Sequence, residues 1–341
     1  MRLFSFTFVR ALLPILAWLV TAEQTVYAQQ AAASPKLARR AGQTISPLPN
    51  GTPIITTSDG VNLYTKVAGQ GLPCVFIHGG PGSGSQVIET LAGKGLEQRF
   101  QMIYLDQRGL DQRGSGRSAS DPHKDYTLAR VVQDLEELRQ QLHLTQWVVM
   151  AHSFGGIIAT EYASKYPERV QGLVLVNSIL NLPASMESTV AYGYPLLPPQ
   201  ARPPLDPAAP LPQRYGMVMG LLNQQKLMGQ LMYANDSTAL RVKQAMQGAA
   251  ANRDLATVVT QSAAIADYVQ DFTPKSAKLL MPVLVVTGRD DYVVGPDQYK
   301  SFRFPRQQVI TLPGKHFTFV ENPKEFNQAL TSFSAGLASK K

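Results

Sequence analysis

The sequence contains one cysteine, Cys74, in 341 residues. No disulfide can form within the chain, so stability must come from a buried core, which a chain of this length supplies. Cys74 lies in the apolar run CVFI and reads as a small buried hydrophobe, not a nucleophile. Charge is also scarce, with 16% of residues charged against 44% hydrophobic. The net charge is +8, yet the basic residues are dispersed and no basic stripe carries interleaved aromatics. That argues against a nucleic-acid partner. The five histidines form no pair or His/carboxylate cluster at ligand spacing, so no metal is expected. The apolar run near the start is shorter than the roughly 20 residues needed to span a bilayer.

That N-terminal run reads instead as part of a signal peptide over residues 1–28. Arg2 and Arg10 give a positive region, residues 11–20 an apolar stretch, and Val26-Tyr27-Ala28 a small-x-small cleavage pattern. It predicts export, to the periplasm or outside the cell, with no stable membrane span after processing. Residues 29–49, rich in Ala, Gln, Ser and Pro, read as a flexible lead-in.

Beyond the lead-in, TPIITTSDGVNLYTKVAG predicts two strands around Asp59-Gly60. The runs CVFI, FQMIYL, WVVMA, LVLVN, VLVVTG and QVITL read as strands, several apolar throughout as strands covered on both faces are. Helical patterns alternate with them. Thr127 is a candidate N-cap for LARVVQDLEELRQQL, and a helix beginning near Phe154 is stopped by Pro167. The fold class is therefore α/β: a mostly parallel central sheet with helices on both faces. No strand signal appears over residues 181–274, which read as a helical cap inserted between a first core part (50–180) and a second (275–341).

The chemistry centres on VVMAHSFGGIIATEYA, a strand running through Ala151-His152-Ser153-Phe154-Gly155 straight into a helix. This is a nucleophile elbow, small-x-Ser-x-Gly, with Ala151 where the first glycine usually stands. The turn presents the Ser153 hydroxyl at a helix N-terminus, where free N–H groups favour developing negative charge. In this architecture the base follows the serine in the chain, and His316 is the only histidine that does. The acid should follow the penultimate strand, where GRDDYVVGP offers Asp291, with Asp290 in reserve and Asp297 as a third candidate. Oxyanion donors are expected from the Phe154 N–H and from the HGGPG loop, through Gly80 or alternatively Gly79.

HGGPG, DQRGSGRS, the elbow, the late GxxD and the final histidine together resemble the α/β-hydrolase superfamily, and within it the proline iminopeptidase (prolyl aminopeptidase) branch. The resemblance covers roughly residues 54–180 and 280–335. It implies a Ser153–His316–Asp291 triad, an acyl-enzyme, no cofactor, and release of N-terminal residues from short peptides. It weakens in the cap. That branch holds the substrate's amino group with acidic cap residues, and none of Glu187, Asp206, Asp236, Asp254, Asp267 and Asp271 can be matched to the role. The cap instead carries Met217, Met219, Met228, Met232 and Met246, with Tyr192, Tyr194, Tyr215 and Tyr233, which would suit an apolar ester or lactone. Carboxylesterase or lactonase is thus the alternative; a cofactor-free peroxidase-like enzyme or a non-catalytic binding protein ranks below both. The substrate-binding residues and the oligomeric state stay open.

One stretch repeats itself. YLDQRGLDQRGSGRS contains DQRG at 106–109 and again at 111–114, where the branch carries one copy. A neutral duplication is the expectation, since lengthening a surface loop costs little. The functional alternative brings Arg108 or Arg113 to the rim of the site.

Overall fold

The computed structural model describes residues 48–109, 118, 125–247 and 265–338. The signal-peptide reading and the second DQRG copy, with Arg113, lie outside these residues. Among the described residues, no helix is long and apolar enough to cross a membrane.

The hairpin over Asp59-Gly60 is present as β1 (Ile55–Thr56) paired antiparallel with β2 (Asn62–Leu63). The main sheet has seven strands: β3 (Thr65–Gly69), β4 (Leu72–Ile77), β5 (Phe100–Leu105), β6 (Trp147–His152), β7 (Val170–Val176), β8 (Val283–Gly288) and β9 (Gln307–Leu312). Their order is β3-β5-β4-β6-β7-β8-β9. Only β3 runs antiparallel to its neighbour; every other pairing is parallel. The continuous apolar runs have the expected cause: β5, β6 and β8 are buried along their whole length. Edge strand β9 is largely exposed.

Helices cover both faces. Leu128–Gln141 begins where the Thr127 hydroxyl accepts the Arg130 N–H, and Gly155–Lys165 ends before Pro167. They pack with Trp147, Val149 and Leu173 on one side of the sheet. Gln86–Leu96 and Pro323–Ala338 cover the other, against Met102, Val148 and Leu284. Between β7 and β8 the described elements are all helical, the longest being Leu182–Gly193, Leu211–Gln224 and Asp236–Ala245. Parallel strands place their carboxyl ends along one edge. The register Ile77↔Ala151, Ala151↔Leu175 and Val176↔Val286 lines up there the loops that follow β4, β6, β7 and β8.

The first DQRG copy is built into this frame. Asp106 Oδ1 accepts the Ser85 N–H and hydroxyl at 2.8 and 2.7 Å. Gln107 N–H donates to His78 Nε2 at 3.0 Å, and its side-chain amide to His78 O at 2.8 Å. Arg108 is 1% exposed. Its guanidinium binds Asp134 at 2.5 and 2.6 Å, Asp59 at 2.8 and 2.9 Å, and the Asp125 carbonyl at 3.0 Å. The functional alternative that Arg108 reaches the rim of the site is therefore corrected: its head is directed into the joint between the hairpin turn and the helix Leu128–Gln141. The hydrogen bond from Arg108 holds the Asp59 carboxyl well below the usual carboxylate range. Burial pushes the Asp134 carboxyl up against the pull of Arg108 and Arg130.

Arg108→Met takes the guanidinium from Asp59 and leaves the buried Asp134 with Arg130 alone, so it should destabilise by about 3 kcal/mol at neutral pH, the low end for a broken buried pair. The depressed Asp59 pKa adds a sign: its contribution is full above the ordinary carboxylate range and is lost as pH falls through the folded value. The gap between wild type and variant in urea denaturation should narrow in acid; a gap that is small at pH 7 refutes the assignment. Deleting residues 110–114 keeps the first copy and Ser118, and should leave the melting temperature near that of the parent, as calorimetry will show.

Candidate active site

Ser153 ends the strand-to-helix turn at φ +54°, a left-handed conformation rare for a residue with a side chain. The turn is held from both sides. Ser153 N–H donates to Val176 O at 3.2 Å, and Ser153 O accepts from Gly156 and Ile179 at 3.0 and 2.9 Å. Space forces glycine at two places. A Cβ on Gly155 would lie 2.4 Å from Ile77 O, and one on Gly79 would lie 2.6 Å from the Ser153 Cβ. Ala151, paired between Ile77 and Leu175, fits with its methyl fully buried.

His316 follows β9. Its Nδ1 lies 3.0 and 3.2 Å from the two Asp291 oxygens. Asp291 is fully buried and saturated: Oδ2 also accepts from Asn177 Nδ2 at 2.7 Å, and Oδ1 from the N–H groups of Val293 and Val294 at 3.1 Å each. Burial opposes its ionisation, but the charge and hydrogen bond of His316, with those of Asn177 and Val294, outweigh this and hold the carboxyl below its usual range. Asp290 is instead a half-buried turn residue, its N–H donating to Gly314 O, and Asp297 pairs at the surface with Lys300.

Gly79 and Gly80 approach the elbow from the loop after β4. That loop is pinned through His78, whose Nε2 accepts the Gln107 N–H and whose Nδ1 therefore donates to Gly79 O at 2.9 Å. Among the described residues, neither the Phe154 N–H nor the Gly80 N–H donates to a protein group, and both residues line the cavity space around Ser153.

Three residues at the site carry no distinguishing signal in the sequence. Asn177, at φ +44°, bridges Asp291, the Lys315 carbonyl and the Thr318 hydroxyl. Thr318 completes that bridge. His152 packs its ring 4.8 Å from that of His316 and donates from Nε2 to the His316 carbonyl at 2.9 Å. Burial, with His316 nearby, pushes the His152 pKa down to about 3, so the ring is neutral and carries its proton at Nε2. Positive φ at a non-glycine is invisible in composition, although Asn is among the residue types most tolerant of it.

Ser153 and His316 line one cavity of about 420 Å³. Met219, Met228, Met232 and Met246 line it, as do Tyr215 and Tyr233; Met217 packs into the helical insertion. Tyr192 stacks on Tyr292 and Tyr194 bonds to the Pro203 carbonyl, both away from this cavity. No Asp, Glu, Lys or Arg is among its described lining residues. Glu187 is paired with Arg214, Asp206 and Asp271 close local turns, Asp236 and Asp267 lie elsewhere, and Asp254 is outside the described residues. Among the described residues no group of His, Cys, Asp and Glu could hold a metal ion. Cys74 is buried, and burial pushes its thiol up, away from the reactive thiolate.

The chain is similar to known proteins. Residues 73–323 match the family model for the alpha/beta hydrolase fold, and the chain belongs to that family. It is 36% identical over 126 residues to a proline iminopeptidase of Arabidopsis thaliana, covering 36% of this chain and 31% of the relative. It is 34% identical over 127 residues to that of Neisseria gonorrhoeae, covering 36% and 38%. The matched segment spans about a third of these curated relatives. Among solved structures, a proline iminopeptidase-related protein from Thermus thermophilus superposes with a TM-score of 0.68 at 23% identity, covering 85% of this chain and 98% of that one. An esterase from Exiguobacterium antarcticum superposes with 0.62 at 19%, covering 84% and 100%. Both likenesses show the fold.

The hydrogen-bond pattern separates the two neighbouring aspartates. Asp291→Asn should lower turnover of an activated ester by about 10⁴-fold, the scale for a triad acid. Asp290→Asn should lower it little. Comparable losses in the two variants would overturn the placement.

Proposed function

We propose that this chain is a serine hydrolase that forms an acyl-enzyme on Ser153 and acts on uncharged, apolar acyl compounds, esters foremost. The observation that carries the reading is the pairing of a serine at φ +54° with a histidine bonded to a buried carboxylate, in one cavity with no charged side chain among its described lining residues.

His316 takes the Ser153 proton as the oxygen attacks the carbonyl carbon. Asp291 keeps the imidazole in the tautomer that can accept it and stabilises the resulting imidazolium. The carbonyl oxygen gains negative charge and meets the N–H groups of Phe154 and Gly80. His316 then gives its proton to the leaving oxygen as that bond breaks. Water, activated by the same histidine, hydrolyses the acyl-enzyme and restores Ser153. No cofactor enters these steps.

A second reading, proline iminopeptidase, is favoured by the 34–36% identity to curated relatives of that name. It requires an anionic partner for the substrate's amino group, and the described lining offers none.

A substrate panel separates the two. Proline p-nitroanilide, its N-blocked form and p-nitrophenyl esters are assayed with wild type and Ser153→Ala. Esters should turn over, and Ser153→Ala should lose about 10⁶ in kcat while keeping its fold. Turnover confined to the free-amine anilide would establish the second reading, and turnover retained by Ser153→Ala would end the serine assignment.

The leader supports export as a further part of this proposal. N-terminal sequencing of the mature protein should begin near Gln29; an intact Met1 in a cytoplasmic pool would remove it.

A further inference from the structure

The space around Ser153 is divided. On one side lies the 420 Å³ cavity, which His316 lines. On the other lies a smaller chamber of about 120 Å³ walled by Pro81, Phe154, Ile179, Leu182, Met186 and Ile265, which His316 does not line. The two meet at Gly80, Ser153, Thr189, Tyr215 and Val293. Ser153 thus stands at the junction of a large and a small apolar compartment.

Proton transfer decides which part of a substrate goes where. The general acid must be within hydrogen-bond reach of the oxygen that departs. That oxygen, and the group behind it, therefore sits in the compartment His316 lines. The acyl group, attached to the same carbon, points the other way. We infer that the large compartment receives the leaving alcohol and the small one the acyl group, so that the preferred substrates are short-chain acyl esters of bulky apolar alcohols. This rests on the serine-hydrolase reading and adds the direction in which substrate lies.

Volume sets the scale. At about 120 Å³ against about 420 Å³, the small chamber has less than a third of the space of the large one. An acetyl or butyryl chain fits the first and an octanoyl chain does not. An aromatic or branched alcohol fits the second, where methionines adapt to irregular shapes. Chemistry agrees with size in the small chamber. Its hydroxyl from Ser185 already donates to Val294 O at 2.9 Å and accepts from Gln298 at 2.8 Å, and no charged side chain is among its described lining residues. A charged ring nitrogen on the acyl group would meet no carboxylate among the described lining residues.

Two ester series test the direction. In the first the leaving group is constant, as p-nitrophenyl acetate, butyrate and octanoate. In the second the acyl group is constant, as methyl, benzyl and naphthylmethyl acetates. We expect kcat/KM to fall about tenfold or more from butyrate to octanoate, and to rise by a similar factor from methyl to naphthylmethyl, the discrimination an apolar pocket achieves over a few methylenes. Met186→Ala should restore octanoate turnover relative to butyrate. Met228→Ala should lower the naphthylmethyl rate more than the methyl rate. A preference for octanoate that Met186→Ala does not change would overturn the direction and leave the hydrolase reading standing. Labelling of Ser153 by a fluorophosphonate, compared with Ser153→Ala, separates the two failures: no labelling together with no turnover of any ester overturns both.

Discussion

Between the loop after β4 and the elbow after β6 there is room for a hydrogen atom but not for a methyl group. Gly79 lies so close to Ser153 that the loop and the serine form one piece of structure. The approach is held from a distance. His78 anchors the loop through both ring nitrogens, Gln107 anchors His78, and the neighbouring Arg108 ties that segment to the hairpin turn and to the helix Leu128–Gln141. The loop geometry at Ser153 thus depends on ion pairs that do not line the cavity beside it. Packed cores transmit such constraints because they have few voids to absorb displacement.

The opposite wall is built on the same plan. Asp291 is fully buried and accepts from four donors, and Asn177 couples it to the Lys315 carbonyl and to Thr318. A buried carboxylate with every lone pair engaged is costly to disturb, which favours a rigid site over an adaptable one. Adaptability is concentrated in the thioethers of the helical insertion, which face whatever the cavity receives.

Much of this is legible in the residues. Strands buried on both faces announce themselves as apolar runs, and the elbow is a local pattern whose glycines answer a local steric demand. The order serine, aspartate, histidine leaves His316 without a rival, and the structure bonds it to Asp291, whereas Asp290 next door turns away. What cannot be read depends on packing between segments distant in sequence. Asn177 is an ordinary residue until β7 and β8 are adjacent. Met217 and Met219 differ by two positions on one helix, yet only the second lines the cavity, because the rotation of an inserted helix is set by its neighbours. A loop arginine is usually solvated, which points Arg108 to the rim; its two carboxylate partners, Asp59 and Asp134, are far apart in the chain and leave no local trace.

The repeated DQRG also bears on how the chain reaches this structure. Two identical tetrapeptides are candidates for one buried berth, and their chemistry alone cannot tell them apart. Tether length can. Asp106 directly follows Leu105, the last residue of β5, whose six residues are buried and paired on both edges. Once that strand docks, the first copy is delivered to its partners while the second is still five residues of slack away, and loop closure favours the nearer one. Seating the second copy would pull β5 out of register and turn its apolar side chains to the wrong faces. The sheet therefore acts as the proofreader of its own loop, since the berth beside it suits the copy joined directly to β5.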